Sequence, residues 1–349
     1  MNLDGLSIWM LSGIFIAGGV AIWISGIYLS NTVDALSKKF GLGQALGGMI
    51  VLAIVTNLPE IAITVSASLQ NNIELAVGNI LGGIAMQTVV MVVLDVFGLG
   101  KKASLTYKAS SMQLVLEGLL VLFILIFVVM GHQLPSSLVF LRMSPAVILI
   151  FLGWVAGLVL INKARNGLPW QAKNSTDDDK GNNDQNSKND TQKRSTGANV
   201  AIFLTTALVT LVAGYFLERS GDAIAKQIGM QGVIFGATIL AAATSLPEVS
   251  TGLASIKLKA YTLAVSDIFG GNAFLPVLFL VATLISGKAI LPGAHKSDIY
   301  LTCLGMLLTS VYVWGMIFKP KKQFLGMGID SFIVLILYLF GVAGLFAVG

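Results

Sequence analysis

Charge is what this chain has least of. Of its 349 residues only 11% are charged, 22 basic and 17 acidic, against about 25% in a water-soluble domain. So few charges cannot coat a globule of this length, which excludes a soluble enzyme. High apolar content excludes a disordered chain. The single cysteine, Cys303, excludes a disulfide framework and a thiolate metal centre. Eight prolines without a Gly-X-Y period exclude collagen, despite 38 glycines. Period-2 alternation is scarce, which argues against an outer-membrane barrel. No nucleophile–base set or metal-hydrolase motif is visible. The net charge of +5 would suit nucleic acid, but the placement of the basic residues gives it another meaning.

What is present is apolar length. Hydrophobic residues make up 55% of the chain, and about 20 in succession span a bilayer as a helix. Ten runs reach that length, near 8–30, 43–68, 73–98, 112–130, 143–163, 198–218, 231–256, 261–288, 298–316 and 328–348. The high glycine content fits membrane helices packed closely through small residues. One segment differs. Residues 164–197 are almost wholly polar and read as a solvated linker; Asp177, Asp178 and Asp179 within it belong to that solvated tract. The expected organisation is a five-helix half over 1–163, a linker over 164–197 and a second five-helix half over 198–349.

Basic residues set orientation, because they concentrate in inside loops. With the N-terminus outside, the inside loops hold Lys38, Lys39, Lys101, Lys102, Lys108, Lys163, Lys257, Lys259, Lys319, Lys321 and Lys322 together with the basic residues of the linker. Arg142, Arg219, Lys226, Lys288 and Lys296 fall outside. Both termini are therefore expected outside, with the linker inside. The positive charge marks topology.

The two halves repeat without a gap. Residues 56–83 read TNLPEIAITVSASLQNNIELAVGNILGG and residues 244–271 read TSLPEVSTGLASIKLKAYTLAVSDIFGG. Thr56 matches Thr244, Pro59 and Glu60 match Pro247 and Glu248, and Gly82 and Gly83 match Gly270 and Gly271. Greasy helices match by chance at Leu and Val, but rarely at Pro-Glu and Gly-Gly in register. An odd number of spans per half inverts the second copy. The expected fold is an all-α polytopic membrane protein of ten transmembrane helices in two inverted-topology five-helix repeats, a common plan for secondary transporters.

Inside the repeats lie Glu60, Glu248 and Asp267, deep in apolar sequence and with no Lys or Arg near mid-span. A buried carboxylate costs several kcal/mol, roughly, unless neutralised or paired. Its natural partners here are protons or cations. Pro59 and Pro247 each remove a backbone donor and should free carbonyls near Val55 and Ala243. Thr56 is four residues from Glu60, and Thr244 four from Glu248, which would place each pair on one helix face. Ser245 adds a hydroxyl, and Asn79 stands where the second repeat has Asp267. All-oxygen ligation with several carboxylates suits a hard cation such as calcium. Two sodium ions or two protons could replace one calcium without leaving unpaired charge. Asp95, near a span end, and Glu117, at a lipid interface, read as structural or peripheral. His132 reads as a loop residue and Cys303 as a small buried apolar group.

VTNLPEIAITVSAS with AVGNILGG, and AATSLPEVSTGLAS with AVSDIFGGN, resemble the two alpha repeats of the cation/calcium exchanger superfamily, specifically its sodium/calcium exchanger-like prokaryotic members. The resemblance implies a ten-span inner-membrane antiporter, working as a monomer without cofactor, that exchanges calcium for sodium by alternating access. It implies Glu60 and Glu248 as the central ion ligands, Asp267 as the second-repeat acid with Asn79 its partner, and Thr56, Thr244 and Ser245 as hydroxyl or carbonyl ligands. The chain departs from the pattern at Asn57, where Ser is usual, and at Gly83-Ile84, where Ser-Asn is common. A calcium/proton antiporter is the alternative, though neither repeat has the further acid typical of that branch. A cation channel is a third reading, disfavoured by the paired buried acids.

Overall fold

The computed structural model describes residues 3, 5–39, 47–71, 73–100, 103–135, 137–138, 143–165, 195–229 and 236–348. It is helical almost throughout. The long apolar runs have no water to satisfy their backbone groups, so each closes its hydrogen bonds within itself. In chain order the helices are α1 (Ile8–Lys39), α2 (Ala53–Thr56), α3 (Leu58–Leu69), α4 (Ile73–Val93), α5 (Leu105–Ala109), α6 (Met112–His132) and α7 (Pro145–Arg165). Then follow α8 (Thr196–Ile228), α9 (Ala241–Thr244), α10 (Leu246–Lys257), α11 (Tyr261–Phe274), α12 (Leu278–Ser286), α13 (Lys296–Phe318) and α14 (Ile329–Val348). A two-residue turn with Leu325 and Gly326 at positive φ joins β1 (Gln323–Phe324) to β2 (Met327–Gly328). Most of the polar tract 164–197, and with it Asp177 to Asp179, Lys101, Lys102 and Arg142, lies outside the described residues.

Among the described residues eight helices are long and apolar enough to cross a membrane. Two bent pairs raise the number to ten if each is one span. The chain bends by 53° between Ile50–Thr56 and Leu58–Leu69, and by 43° between Thr238–Thr244 and Leu246–Lys257. The breaks fall at Asn57 and Ser245, each just before a Leu-Pro that starts the next helix. Proline is at home in the first turn of a helix, where its missing N–H is no loss. At the breaks the Asn57 amide donates to the Ala53 carbonyl at 3.3 Å and the Ser245 amide to the Ala241 carbonyl at 3.0 Å, while Pro59 and Pro247, four residues past Val55 and Ala243, bring no N–H to those two carbonyls.

Burial separates centre from rim. The spans Leu75–Leu99 and Tyr261–Ser286 are each 78% buried, whereas those at Ile8–Val33, Pro145–Ala164 and Ile329–Val348 are 28% buried. The rim turns Trp9, Ile16, Leu160, Leu204 and Phe340 outward, an apolar surface suited to lipid tails. Cys303 is on that exposed surface rather than buried.

α1 and α8 lie side by side, running in opposite directions. At one end Gln227 Nε2 donates to the Leu6 carbonyl at 2.9 Å; at the other Lys39 donates to the Thr196 hydroxyl. Each helix carries a glycine against the broken helix of the other half. A Cβ at Gly214 would stand 2.7 Å from Pro59 Cα, and one at Gly26 would stand 3.2 Å from the Pro247 carbonyl and collide with Ser250. Gly26 and Gly214 stand at the same offset as Pro59 and Pro247. Replacing Gly214 by Ala pushes α8 off Pro59. Overpacking of this kind costs about 1–3 kcal/mol, which should appear as a lowered melting temperature of the purified protein.

Candidate functional site

The two breaks bring their polar residues together at the centre of the bundle. Thr56, Asn57, Glu60, Thr244, Ser245, Glu248 and Asp267 are each at most 1% exposed. Glu248 lies close to both Glu60 and Asp267. Among the described residues, though, no three His, Cys, Asp or Glu side chains gather tightly enough to hold an ion by themselves. Any bound cation would need oxygens from amides, hydroxyls or carbonyls as well.

The bends redirect the threonines. Thr56 and Glu60 would share a face on a continuous helix, but the break at Asn57 turns them apart. Thr56 instead lies beside Glu248, and its hydroxyl stands 3.1 Å from Asp267 Oδ1. Thr244 in turn lies beside Glu60. Each repeat's threonine thus serves the other repeat's glutamate. Asp267 also accepts from the Thr251 hydroxyl at 2.8 Å, through Oδ2.

Two other expected residues bond to backbone carbonyls. The Ser245 hydroxyl bonds back to the Ala241 carbonyl at 2.8 Å, a habit of hydroxyls on helices. Asn79 Nδ2 stands 3.4 Å from the Glu60 carbonyl, so this amide ties α4 to the backbone of α3.

Gln87 was not foreseen. From α4 its Nε2 donates to Asn57 Oδ1 at 2.7 Å and to Glu248 Oε1 at 3.2 Å. It links the first break to the second glutamate. The available signal was a lone amide in the middle of an apolar span; the structure buries it fully. Gly271 makes room for it, since a Cβ there would stand 2.6 Å from Asn57 Nδ2 and 3.0 Å from Gln87 Oε1.

The site is short of donors. Glu60 Oε1 and Oε2, Glu248 Oε2 and Gln87 Oε1 are buried without a hydrogen-bond partner. Thr244 and Gln87 lie near the Glu60 carboxylate, yet neither donates to it in good geometry. Buried oxygens in native proteins are rarely orphaned. Four together, three of them on carboxylates, form an acceptor-rich centre with no basic side chain beside it among the described residues.

Two broken helices, meeting over a buried cluster of acids and amides inside a bundle of membrane-length helices, define a multi-pass ion transporter. The chain belongs to the sodium/calcium exchanger protein family, whose profile matches residues 10–162 and 198–344. It is accordingly an antiporter of cations and not an enzyme. Among curated relatives, it is 27% identical over 308 residues to the inner membrane protein YrbG of Escherichia coli, covering 87% of this chain and 89% of that one. It is 27% identical over 312 residues to the putative antiporter CaxA of Alkalimonas amylolytica, covering 86% and 90%. Solved structures of the sodium-calcium exchanger NCX_Mj share the fold. A form soaked with 10 mM Na+ and zero Ca2+ aligns over 97% of this chain and 99% of that one, with a TM-score of 0.67 and 17% identity. A form soaked with 2.5 mM Na+ and 0.1 mM Ca2+ gives 0.65 and 18%, over 96% and 98%.

Proposed function

We propose that this chain exchanges calcium for sodium across a prokaryotic inner membrane by alternating access. The cation lies between the two helix breaks, with Glu60 and Glu248 as its charged ligands and Asp267 completing the negative charge. Thr56, Thr244, Asn79, Ser245 or the carbonyls beside them supply neutral oxygens, and so does Gln87 through Oε1. The orphaned oxygens of Glu60 and Glu248 carry this reading. A cation satisfies both and removes the cost of buried charge. Calcium takes six to eight oxygens in irregular geometry, which a set drawn from two breaks and α4 can approach.

Reading each bent pair as one span gives ten spans, five in each half around the linker 164–197. The halves then enter from opposite faces, with both termini outside, as the loop lysines favour. The antiparallel pairing of α1 and α8 and the crossed threonines fit such an inversion. A monomer contains the whole site.

Protons are the alternative counter-ion. Asn57 favours them, because its amide is committed to the Ala53 carbonyl and to Gln87, which removes a neutral ligand that sodium would use. Calcium-45 uptake into reconstituted vesicles decides, with sodium and pH gradients imposed separately. Uptake driven by an outward sodium gradient at equal pH supports the sodium reading; uptake that responds only to the pH gradient overturns it. The Gln87→Leu variant should bind calcium about tenfold more weakly, the loss of one polar contact to a charged group. Equal affinity in a binding titration would remove Gln87 from the site.

A further inference from the structure

Glu117 stands in the second turn of α6, and its side chain is fully buried rather than turned to lipid. Its Oε2 accepts a hydrogen bond from the Ser266 hydroxyl at 2.6 Å. Its Oε1 is buried with no partner. The next residue, Gly118, lets Val313 of α13 and Phe269 of α11 close in, so the surroundings are apolar. Ser266 immediately precedes Asp267 on α11. Glu117 is therefore tied, through Ser266, to the helix that carries an acid of the exchange site.

The helices packed against α6 are α7, α11 and α13. On α11 the titratable groups are Asp267 and, one end away, Tyr261. Near Val313 on α13 is Tyr312, which bonds Ser331 instead; Lys296, Asp298, Tyr300 and Cys303 lie toward the other end. Lys163 on α7 is exposed. Among the described residues none of these makes an ion pair or hydrogen bond with Glu117.

We propose that Glu117 is a proton site linked through α11 to the exchange site, loaded when that site is empty and emptied into bulk solvent when a cation enters. A lone carboxylate in an apolar membrane interior must be neutralised. One hydroxyl and two carboxyl oxygens fall far short of a calcium shell, whereas a proton needs only the carboxyl group. A cation arriving beside Asp267 favours the ionised form of a carboxylate on the neighbouring helix, since Coulomb forces reach far where water is absent. By linkage, deprotonation strengthens cation binding by the same factor. The device is one-sided. Gly78 stands where Ser266 does in the other repeat, and α13, which packs on α4, carries no acid after Asp298. Repeat packing therefore needs neither polar group.

The inference rests on the exchange-site reading, and the test separates the two. The purified full-length protein is titrated with calcium chloride in weak buffer across a range of pH, and bound calcium and released protons are measured together. Glu117→Gln should release fewer protons per bound calcium, by about one, with a flattened pH profile of binding. Equal release and an unchanged profile overturn the proposal. Where that variant does not fold or bind, Ser266→Ala decides. It keeps the carboxyl and removes its donor, so the pH of proton release should move; an unmoved value overturns the proposal. Glu60→Gln reports on the exchange site alone: calcium bound as in the wild type sinks that reading, while a Glu117-dependent release remains visible.

Discussion

Glu60→Gln and Glu248→Gln should each lower calcium-45 uptake by two decades or more. Gln keeps the shape of Glu while replacing a charged carboxylate oxygen by an NH2 donor, so the fold at the break should be retained. Stripping one member from a buried charge set costs about 3–5 kcal/mol, and 1.4 kcal/mol is a factor of ten. At Glu60 both carboxylate oxygens lack any protein donor. The new amide N–H would point into a centre already rich in acceptors. There it can bond the Glu248 carboxylate and occupy the place of the cation. At Glu248 the substitution also replaces an acceptor of Gln87 Nε2 by a group that can present a second donor. Both variants should elute as monodisperse protein and fail in transport. Full uptake by either would remove that residue from the site.

Asp95→Ala should produce the largest loss of stability and Asp95→Asn a smaller one, with transport lost only through unfolding. Asp95 is fully buried and holds three donors from distant parts of the chain. Its Oδ1 accepts from the Leu105 amide at 2.8 Å. Its Oδ2 accepts from the Gly328 amide and the Ser331 hydroxyl, each at 2.7 Å. The carboxylate thus pins the end of the third apolar run to α5, the β-hairpin and the start of α14. An amide has one acceptor oxygen, and its NH2 must face at least one of these donors. Leaving a buried donor unsatisfied costs about 1–3 kcal/mol, and Asp95→Ala orphans all three. The melting temperature should fall in the order wild type, Asn, Ala. A melting temperature unchanged in the alanine variant would contradict the role of this staple.

The sequence made the site's charge legible and left its wiring hidden, for a physical reason. Pro59-Glu60 and Pro247-Glu248 stand out because a proline and an acid are both costly in apolar helices, and both recur in register. The breaks follow from the same prolines. Which residues meet across the breaks depends on helix direction after a bend, and local spacing does not encode that. Thr56 is four residues from Glu60, yet it lies beside Glu248 because the chain turns at Asn57. Gln87 and Glu117 sit in runs apolar on every face, where no stripe shows which side is turned inward. Glu117 consequently reads as lipid-facing from sequence and is buried against Ser266. Asp95 reads as peripheral because its three partners lie as far off as Ser331.

The central claim is that a cation rests between Glu60 and Glu248, and strontium can locate it. Strontium is an anomalous scatterer that stands in for calcium. Diffraction from crystals soaked in strontium chloride should show one strong anomalous peak within coordination distance of both glutamate carboxylates, absent from Glu60→Gln crystals treated alike. A peak elsewhere in the bundle, or one that persists undiminished in Glu60→Gln, would contradict the account.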